Sequence, residues 1–242
     1  VDASINHIIP AEDGGFFESR FVQRDPSYFI VYLSSHSGCN QACRMCHLTQ
    51  SGQTMMTSAT LRDYLQQAEN VLKDIDFDIL KKKGLTRVKF SFMARGEPLL
   101  NETIQTNWDE LRRELRNLIP GYFDVQFNIS TILPKEFNLK LESIFKTSDV
   151  TIYYSIYGYK EEFRKKWLGK AKPMQQALTE LYLLTHYTKT KIKFHSAFIK
   201  GENDSDLDIS ILNYKLKEQF KNFEFNIVRY NPYSPKFGEE SD

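Results

Sequence analysis

Tyr28-Phe29-Ile30-Val31-Tyr32-Leu33-Ser34, followed closely by Cys39-Asn40-Gln41-Ala42-Cys43-Arg44-Met45-Cys46, decides how this chain is read. The first stretch is rich in β-branched and aromatic residues, the composition of a strand. The second carries all three cysteines of the protein, at C-x3-C-x2-C spacing. Three thiolates on one short loop suit a soft metal centre, and thiolates are the usual ligands of iron–sulfur clusters. With three protein ligands, a [4Fe–4S] cluster keeps one iron open for a cofactor or substrate. Zinc is the alternative, with His36 or His47 as a fourth ligand. An odd count of cysteines crowded on one loop argues against disulfides.

Composition sets the frame around that loop. The chain has 242 residues, 41% hydrophobic and 26% charged, with a formal net charge of +1. These are ordinary values for a globular protein and give no global basic signal for nucleic acid. No apolar run approaches the ~20 residues that span a bilayer, and no signal peptide is visible. The expected compartment is therefore the cytoplasm, with no membrane partner. The chain starts at Val1 without a methionine and stops after Glu240-Ser241-Asp242, so a portion of a longer product is expected.

Outward from the cysteines, strands and helices alternate. Strands are expected over Tyr28 to Ser34, Arg87 to Met93, Phe123 to Ile129, Val150 to Ile156, Lys191 to Ile199 and Phe223 to Tyr230. Helices are expected over Ser58 to Lys73, with Ser58 as N-cap, then Thr103 to Leu118, Lys135 to Phe145, Pro173 to His186 and Ser205 to Phe220. Six strands in such alternation predict an α/β fold with a parallel sheet, here a partial (β/α)6 barrel. The expected organisation is an N-terminal extension over 1–27, a barrel over 28–233 and a C-terminal tail over 234–242.

In parallel α/β folds the site lies at the carboxyl ends of the strands. The cysteine loop follows the first strand. Met93-Ala94-Arg95-Gly96-Glu97-Pro98 follows the second, Ser130-Thr131 ends the third, Ser155-Ile156-Tyr157-Gly158 the fourth, and Asn231-Pro232 follows the sixth. Each alone reads equally as a turn or cap. Together they project to one rim. Serines can hydrogen-bond a ribose, an asparagine N–H can recognise a carboxylate, and glycine lets a ligand approach the backbone. Basic and aromatic residues interleave over Tyr157 to Lys172, a pattern that holds phosphates and stacks bases, and equally a charged helix face.

The cysteine spacing resembles the signature of the radical S-adenosylmethionine (SAM) enzymes. Further motifs resemble the branch of that superfamily that methylates C2 of adenosine in ribosomal and transfer RNA, and its C8-methylating relatives. Phe17-Glu18-Ser19 is similar to the Val-Glu-Ser of that branch, and Ser34-Ser35-His36-Ser37-Gly38-Cys39 to its Ser-Ser-Gln-Val-Gly-Cys. Gly96-Glu97-Pro98-Leu99-Leu100-Asn101 matches its Gly-Glu-Pro-Leu-Leu-Asn. Ser155-Ile156-Tyr157 stands for Ser-Leu-His, Gly201-Glu202-Asn203-Asp204-Ser205 for Gly-Val-Asn-Asp-Ser, and Arg229-Tyr230-Asn231-Pro232-Tyr233 for Pro-Phe-Asn-Pro-Phe.

The resemblance implies a [4Fe–4S] cluster on Cys39, Cys43 and Cys46, and SAM held by Gly96, Glu97, Ser130, Ser155, Ile156, Tyr157 and Asn231. It also implies Glu18 as a proton-transfer base. The branch uses two further cysteines, a methyl carrier and a resolving residue. The resolving position is Tyr32 here, which places Tyr32 at a catalytic position without a thiol. The sequence thus predicts an enzyme that cleaves SAM reductively and modifies a nucleic-acid base or nucleotide. RNA, DNA or a nucleotide is the expected substrate, with flavodoxin or ferredoxin as electron donor. A radical SAM isomerase, mutase or dehydrogenase, and a metal-bearing binding module, are the alternatives.

Overall fold

The computed structural model of the chain describes residues 3–241. The expected domain limits at residues 1 and 242 therefore lie outside the described residues. The strands are β1 (Ala3–Pro10), β2 (Phe16–Asp25), β3 (Tyr28–Tyr32), β4 (Arg87–Phe92), β5 (Asp124–Thr131), β6 (Val150–Ser155), β7 (Lys191–Ser196) and β8 (Glu224–Ile227). The helices are α1 (His47–Gln50), α2 (Leu61–Leu72), α3 (Phe77–Lys82), α4 (Glu102–Asn117), α5 (Leu141–Ile144), α6 (Glu161–Trp167), α7 (Met174–Tyr187) and α8 (Asp206–Gln219). All six expected strands are present as β3 to β8. None of the described helices is long and apolar enough to cross a membrane.

The chain divides into two compact units. The first comprises the segment up to Cys39, Met55–Ser130 and Asp149–Thr151; the second comprises Asn40–Thr54, Thr131–Ser148 and the chain from Ile152 onward. In the first unit the strands follow chain order, β1 to β5. β1 and β2 form an antiparallel hairpin inside the segment expected as an N-terminal extension. Its turn closes through the Ala11 N–H to Gly15 O, with Gly14 at φ +80. β2 pairs antiparallel with β3, whereas β3, β4 and β5 are parallel.

One face of this sheet is built for helices. Phe29, Val31 and Leu33, then Val88, Phe90 and Phe92, then Phe127 and Ile129 are each at most 1% exposed. Tyr64 of α2 meets Phe92 edge-on at 5.2 Å, and Trp108 of α4 contacts Phe92 and Phe127 at 5.6 and 5.8 Å. Burying such a side chain contributes about 1.5–3 kcal/mol. The intervening residues Tyr28, Ile30 and Tyr32, Arg87, Lys89 and Ser91, and Gln126 and Asn128 lie on the opposite face.

Helix α2 starts later than expected. Thr60, not Ser58, is its N-cap, because Thr60 and Asp63 form a reciprocal capping box. In the second unit β7 and β8 are parallel, and the Ile156 N–H donates to His195 O. The expected helix over Lys135 to Phe145 is reduced to α5. Pro134 bridges Ala171 and the Lys135 N–H donates to Lys170 O, so this backbone is committed to long-range pairing instead of a helical ladder. A core of Phe163, Trp167, Ala197, Ile199 and Tyr230 fills this unit beside β7.

Candidate functional site

In the first unit the chain leaving β3 enters a buried turn, Ser34 to Ser37, immediately before Cys39. Ser34, Ser35, His36 and Ser37 are at most 1% exposed. Every part of this turn is held by a named donor or acceptor. Gln67 clamps Ser34, accepting from its N–H at 2.7 Å and donating to its carbonyl at 3.1 Å. The Ser35 N–H donates to Arg95 O, and the Arg95 guanidinium donates twice to Ser37 O, at 3.1 and 2.9 Å. Arg95 also lies 3.9 Å over the Phe16 ring. Asn101 donates to both Ser35 O and Ala59 O at 2.9 Å, while its own carbonyl caps α4 at the Ile104 N–H.

Gly96 makes this packing possible. Its φ is +90, and a Cβ there would stand 2.5 Å from Ser35 Oγ and 2.6 Å from His36 Nδ1. Glu97 beside it is 4% exposed and accepts from the Leu99 N–H. The Gly96 to Asn101 segment is thus the wall against which the pre-cysteine turn is moulded.

The electrostatics of this turn follow from burial. Burial holds the His36 imidazole down to about 4, so it is neutral at physiological pH. Burial alone would raise the Asp13 carboxyl. Hydrogen bonds from Ser37, Thr57 and the Gly15 N–H outweigh it and hold the group well below the usual carboxylate range. Asp13 thereby fastens the β1–β2 hairpin turn to Ser37.

Glu18 is on β2. Its backbone N–H donates to Ser34 Oγ at 2.9 Å, and Ser34 Oγ donates to its carbonyl at 2.6 Å. Its carboxylate takes a 2.8 Å hydrogen bond from Arg20. Tyr32 is opposite Arg20 on β2 and Ser91 on β4. Ser130 stands at the carboxyl end of β5 and is half-buried.

In the second unit Cys43 bridges Leu168, and the Cys46 N–H donates to Cys43 O at 2.9 Å. The Arg44 N–H donates to Trp167 O, and the Arg44 guanidinium lies 5.1 Å from the Trp167 ring centroid. Met45 and Cys43 pack on the Ile132, Leu168 and Ala171 cluster together with Tyr157. Burial pushes the Tyr157 phenol above its usual range, and Cys43 and Cys46 add to the rise. Tyr157 is in the left-handed region at φ +52, and its carbonyl accepts from Asn203 at 2.7 Å. Ser155 and Ile156 are buried at the end of β6. Asn231 is exposed, four residues past the end of β8.

The three cysteines are each half-buried. Among the described residues, no three His, Cys, Asp or Glu side chains form a group that would hold a single metal ion. A cubane asks for something else: each thiolate binds a different iron, so the sulfurs surround the cluster without converging on one point. Three soft thiolates from one short loop fit that group in donor type and number.

Sequence reasoning missed the braces. Asp13, Gln67 and Arg95 touch the turn from distant segments, and no local spacing announces such contacts. Asn101 and Asn203 sit inside motifs noted in the sequence, where their side-chain carbonyls and amides now have assigned partners.

A sequence model of the radical SAM superfamily matches residues 33–211. A dual-specificity RNA methyltransferase RlmN from Helicobacter hepaticus is 26% identical over 247 residues, covering 96% of this chain and 63% of that protein. A probable dual-specificity RNA methyltransferase RlmN from Clostridioides difficile is 23% identical, covering 90% of this chain and 60% of that protein. The chain thus spans less than two thirds of the length of these curated relatives. Among solved structures, a radical SAM methyltransferase from Sphaerobacter thermophilus superposes with a TM-score of 0.70 at 17% identity, covering 99% of this chain and 67% of that one. Streptococcus suis SuiB bound to S-adenosylmethionine gives 0.56 at 15% identity, covering 91% and 42%. With the superfamily model matching well over half of its length, the chain belongs to the radical SAM superfamily: an enzyme with a partial α/β barrel whose cofactors are a [4Fe–4S] cluster and SAM.

Proposed function

We propose that this chain cleaves SAM reductively and directs the resulting radical at a nucleic-acid base or nucleotide. The observation that carries the reading is the Gly96 to Asn101 wall moulded on the turn before Cys39, in a chain whose curated relatives are RNA methyltransferases. When bound, the cluster and SAM together supply one electron and a carbon-centred radical. The remaining work falls to side chains. Cys39, Cys43 and Cys46 hold the cluster as thiolates. Gly96 and Glu97 receive the methionyl ammonium, Glu97 through its carboxylate and Gly96 through bare backbone. Asn231 donates its amide N–H to the methionyl carboxylate. Ser130 and Ser155 hydrogen-bond the ribose, and Ile156 and Tyr157 line the adenosyl moiety. Glu18, steadied by Arg20, moves a proton on the substrate.

Tyr32 favours a second reading of the radical step. Phenol cannot form the disulfide that releases a thiol-bound methyl adduct. Direct hydrogen abstraction, as in isomerases, mutases and dehydrogenases of the superfamily, needs no such thiol. The proposed setting is the cytoplasm, with a flavodoxin or ferredoxin as electron donor. The test is turnover with SAM deuterated at its methyl group and separate RNA, DNA and nucleotide substrates, followed by mass spectrometry of every product. The proposal expects 5′-deoxyadenosine together with a substrate-derived product. A labelled methyl released over many turnovers on an adenine would overturn the reading of Tyr32, and no change in any substrate would overturn the substrate class.

A further inference from the structure

Helix α1 starts directly after Cys46, and its last residue, Gln50, donates its backbone N–H to Cys46 O at 3.1 Å. The side chain turns back along the same loop. Gln50 Nε2 donates at 2.7 Å to the carbonyl of Arg44, which lies between Cys43 and Cys46. The other end of the carboxamide faces a segment far along the chain, where Gln50 Oε1 accepts from the Tyr233 N–H at 3.0 Å. The same side chain hydrogen-bonds the Tyr230 phenol. All of these residues belong to the second unit.

The segment reached in this way carries Asn231, and little else fixes it. Past Val228, whose N–H donates to Ser196 O, the chain has left β8. Tyr230 anchors the segment on one side, buried in the core with Trp167 and donating its hydroxyl to Phe237 O at 2.6 Å. Tyr233 anchors it on the other. Tyr233 is 65% exposed, so its backbone bond to Gln50, and not packing, holds that end. Asn231 stands exposed between the two anchors, and its amide makes no hydrogen bond among the described residues. Its placement therefore comes from the backbone on either side. A glutamine suits this link because one rigid amide donates and accepts at once. Glutamate only accepts, lysine only donates, and methionine is at best a weak acceptor.

We infer that Gln50 is a positioning residue for SAM: its carboxamide ties the cysteine loop to the Asn231 segment, so that the cluster ligands and the group assigned to the methionyl carboxylate are held as one piece. This rests on the proposed role of Asn231. The amino-acid end of SAM is the part that meets both, so an error in their spacing costs affinity at that end and leaves the adenosyl end alone. A brace that only stabilised the segment would not discriminate between the two ends of the ligand.

The test uses the full chain with its cluster reconstituted anaerobically and kept oxidised, so that SAM binds without turnover. SAM and 5′-methylthioadenosine, which lacks the amino-acid end, are titrated by calorimetry into the unmodified chain, Gln50→Met, Asn231→Ala and the double variant. With iron and sulfide content unchanged, Gln50→Met should weaken SAM about tenfold and leave 5′-methylthioadenosine within about twofold. In the Asn231→Ala background the same substitution should cause no further loss, because it acts through Asn231. If 5′-methylthioadenosine binds too weakly to measure, this cycle decides. If Gln50→Met takes up less iron, Gln50→Asn replaces it with the same expected pattern, since it keeps donor and acceptor and shortens the reach by one methylene. Unchanged SAM affinity, an equal loss for both ligands, or a full further loss in the Asn231→Ala background would overturn the inference. Failure of the underlying reading shows separately: Asn231→Ala alone would leave SAM affinity unchanged, and the inference would fall with it.

Discussion

Gly96→Ala tests how the turn before the cluster cysteine is held. At φ +90 an L-residue pays for the left-handed backbone, about 1–2 kcal/mol. The new methyl would also lie 2.5 Å from Ser35 Oγ, 2.6 Å from His36 Nδ1 and 2.8 Å from His36 Cβ. Neither neighbour has room to retreat, because Ser35 and His36 are at most 1% exposed and the Ser35 backbone is tied to Arg95, Ala59 and Asn101. Overpacking of that kind costs typically about 1–3 kcal/mol. The two together give about 2–5 kcal/mol. At about 2–4 °C per kcal/mol for a chain of this size, the thermal midpoint should fall by roughly 4–20 °C. Urea unfolding followed by tryptophan fluorescence gives the free energy, and iron content after reconstitution reports whether the cysteine loop still forms. A loss below about 0.5 kcal/mol with full iron content would refute the argument, since the wall and the turn would then not be in contact.

Asn101→Ala should cost about 1–3 kcal/mol in urea unfolding, because it removes the α4 cap and one of the two donors to each of two buried carbonyls, leaving Ser35 O with the Ala59 N–H and Ala59 O with Thr103 Oγ1. His36 predicts a pH dependence. Its folded pKa of about 4 lies below the unfolded value near 6.5, so its contribution is complete above about pH 6.5 and is lost as pH falls through 4, on the order of 3 kcal/mol in all. Urea midpoints measured from pH 7 to pH 4 should fall accordingly, and His36→Gln should flatten that slope; an unchanged slope would count against a buried neutral imidazole. Asn231→Ala should weaken SAM binding by about 1–3 kcal/mol, read by calorimetry on the reconstituted protein, and unchanged affinity would remove Asn231 from the site.

The alternation of strands and helices was legible because β3 to β8 carry local composition, and a parallel sheet follows from alternation alone. The β1–β2 hairpin went unread in the stretch expected as an extension: β1 carries Ile5, Ile8 and Ile9, but they follow no strict alternation, and Ile5 and Ile8 are exposed. Lys135 to Phe145 misled because helical periodicity is local, whereas the pairing of Pro134 and Lys135 with Lys170 and Ala171 spans more than thirty residues. The same limit governs the site. Cysteine spacing and the Gly96 to Asn101 motif are written in neighbouring residues. The clamp of Gln67 on Ser34 and the reach of Arg95 to Ser37 exist only once the strands have paired.

The most direct measurement is SAM cleavage by the anaerobically reconstituted chain under dithionite, with iron and sulfide determined on the same sample. The account predicts about four iron and four sulfide per chain, release of 5′-deoxyadenosine and methionine, and loss of both cluster and cleavage in Cys43→Ala. Stoichiometric zinc without sulfide, or a full cluster that releases no 5′-deoxyadenosine, would contradict it.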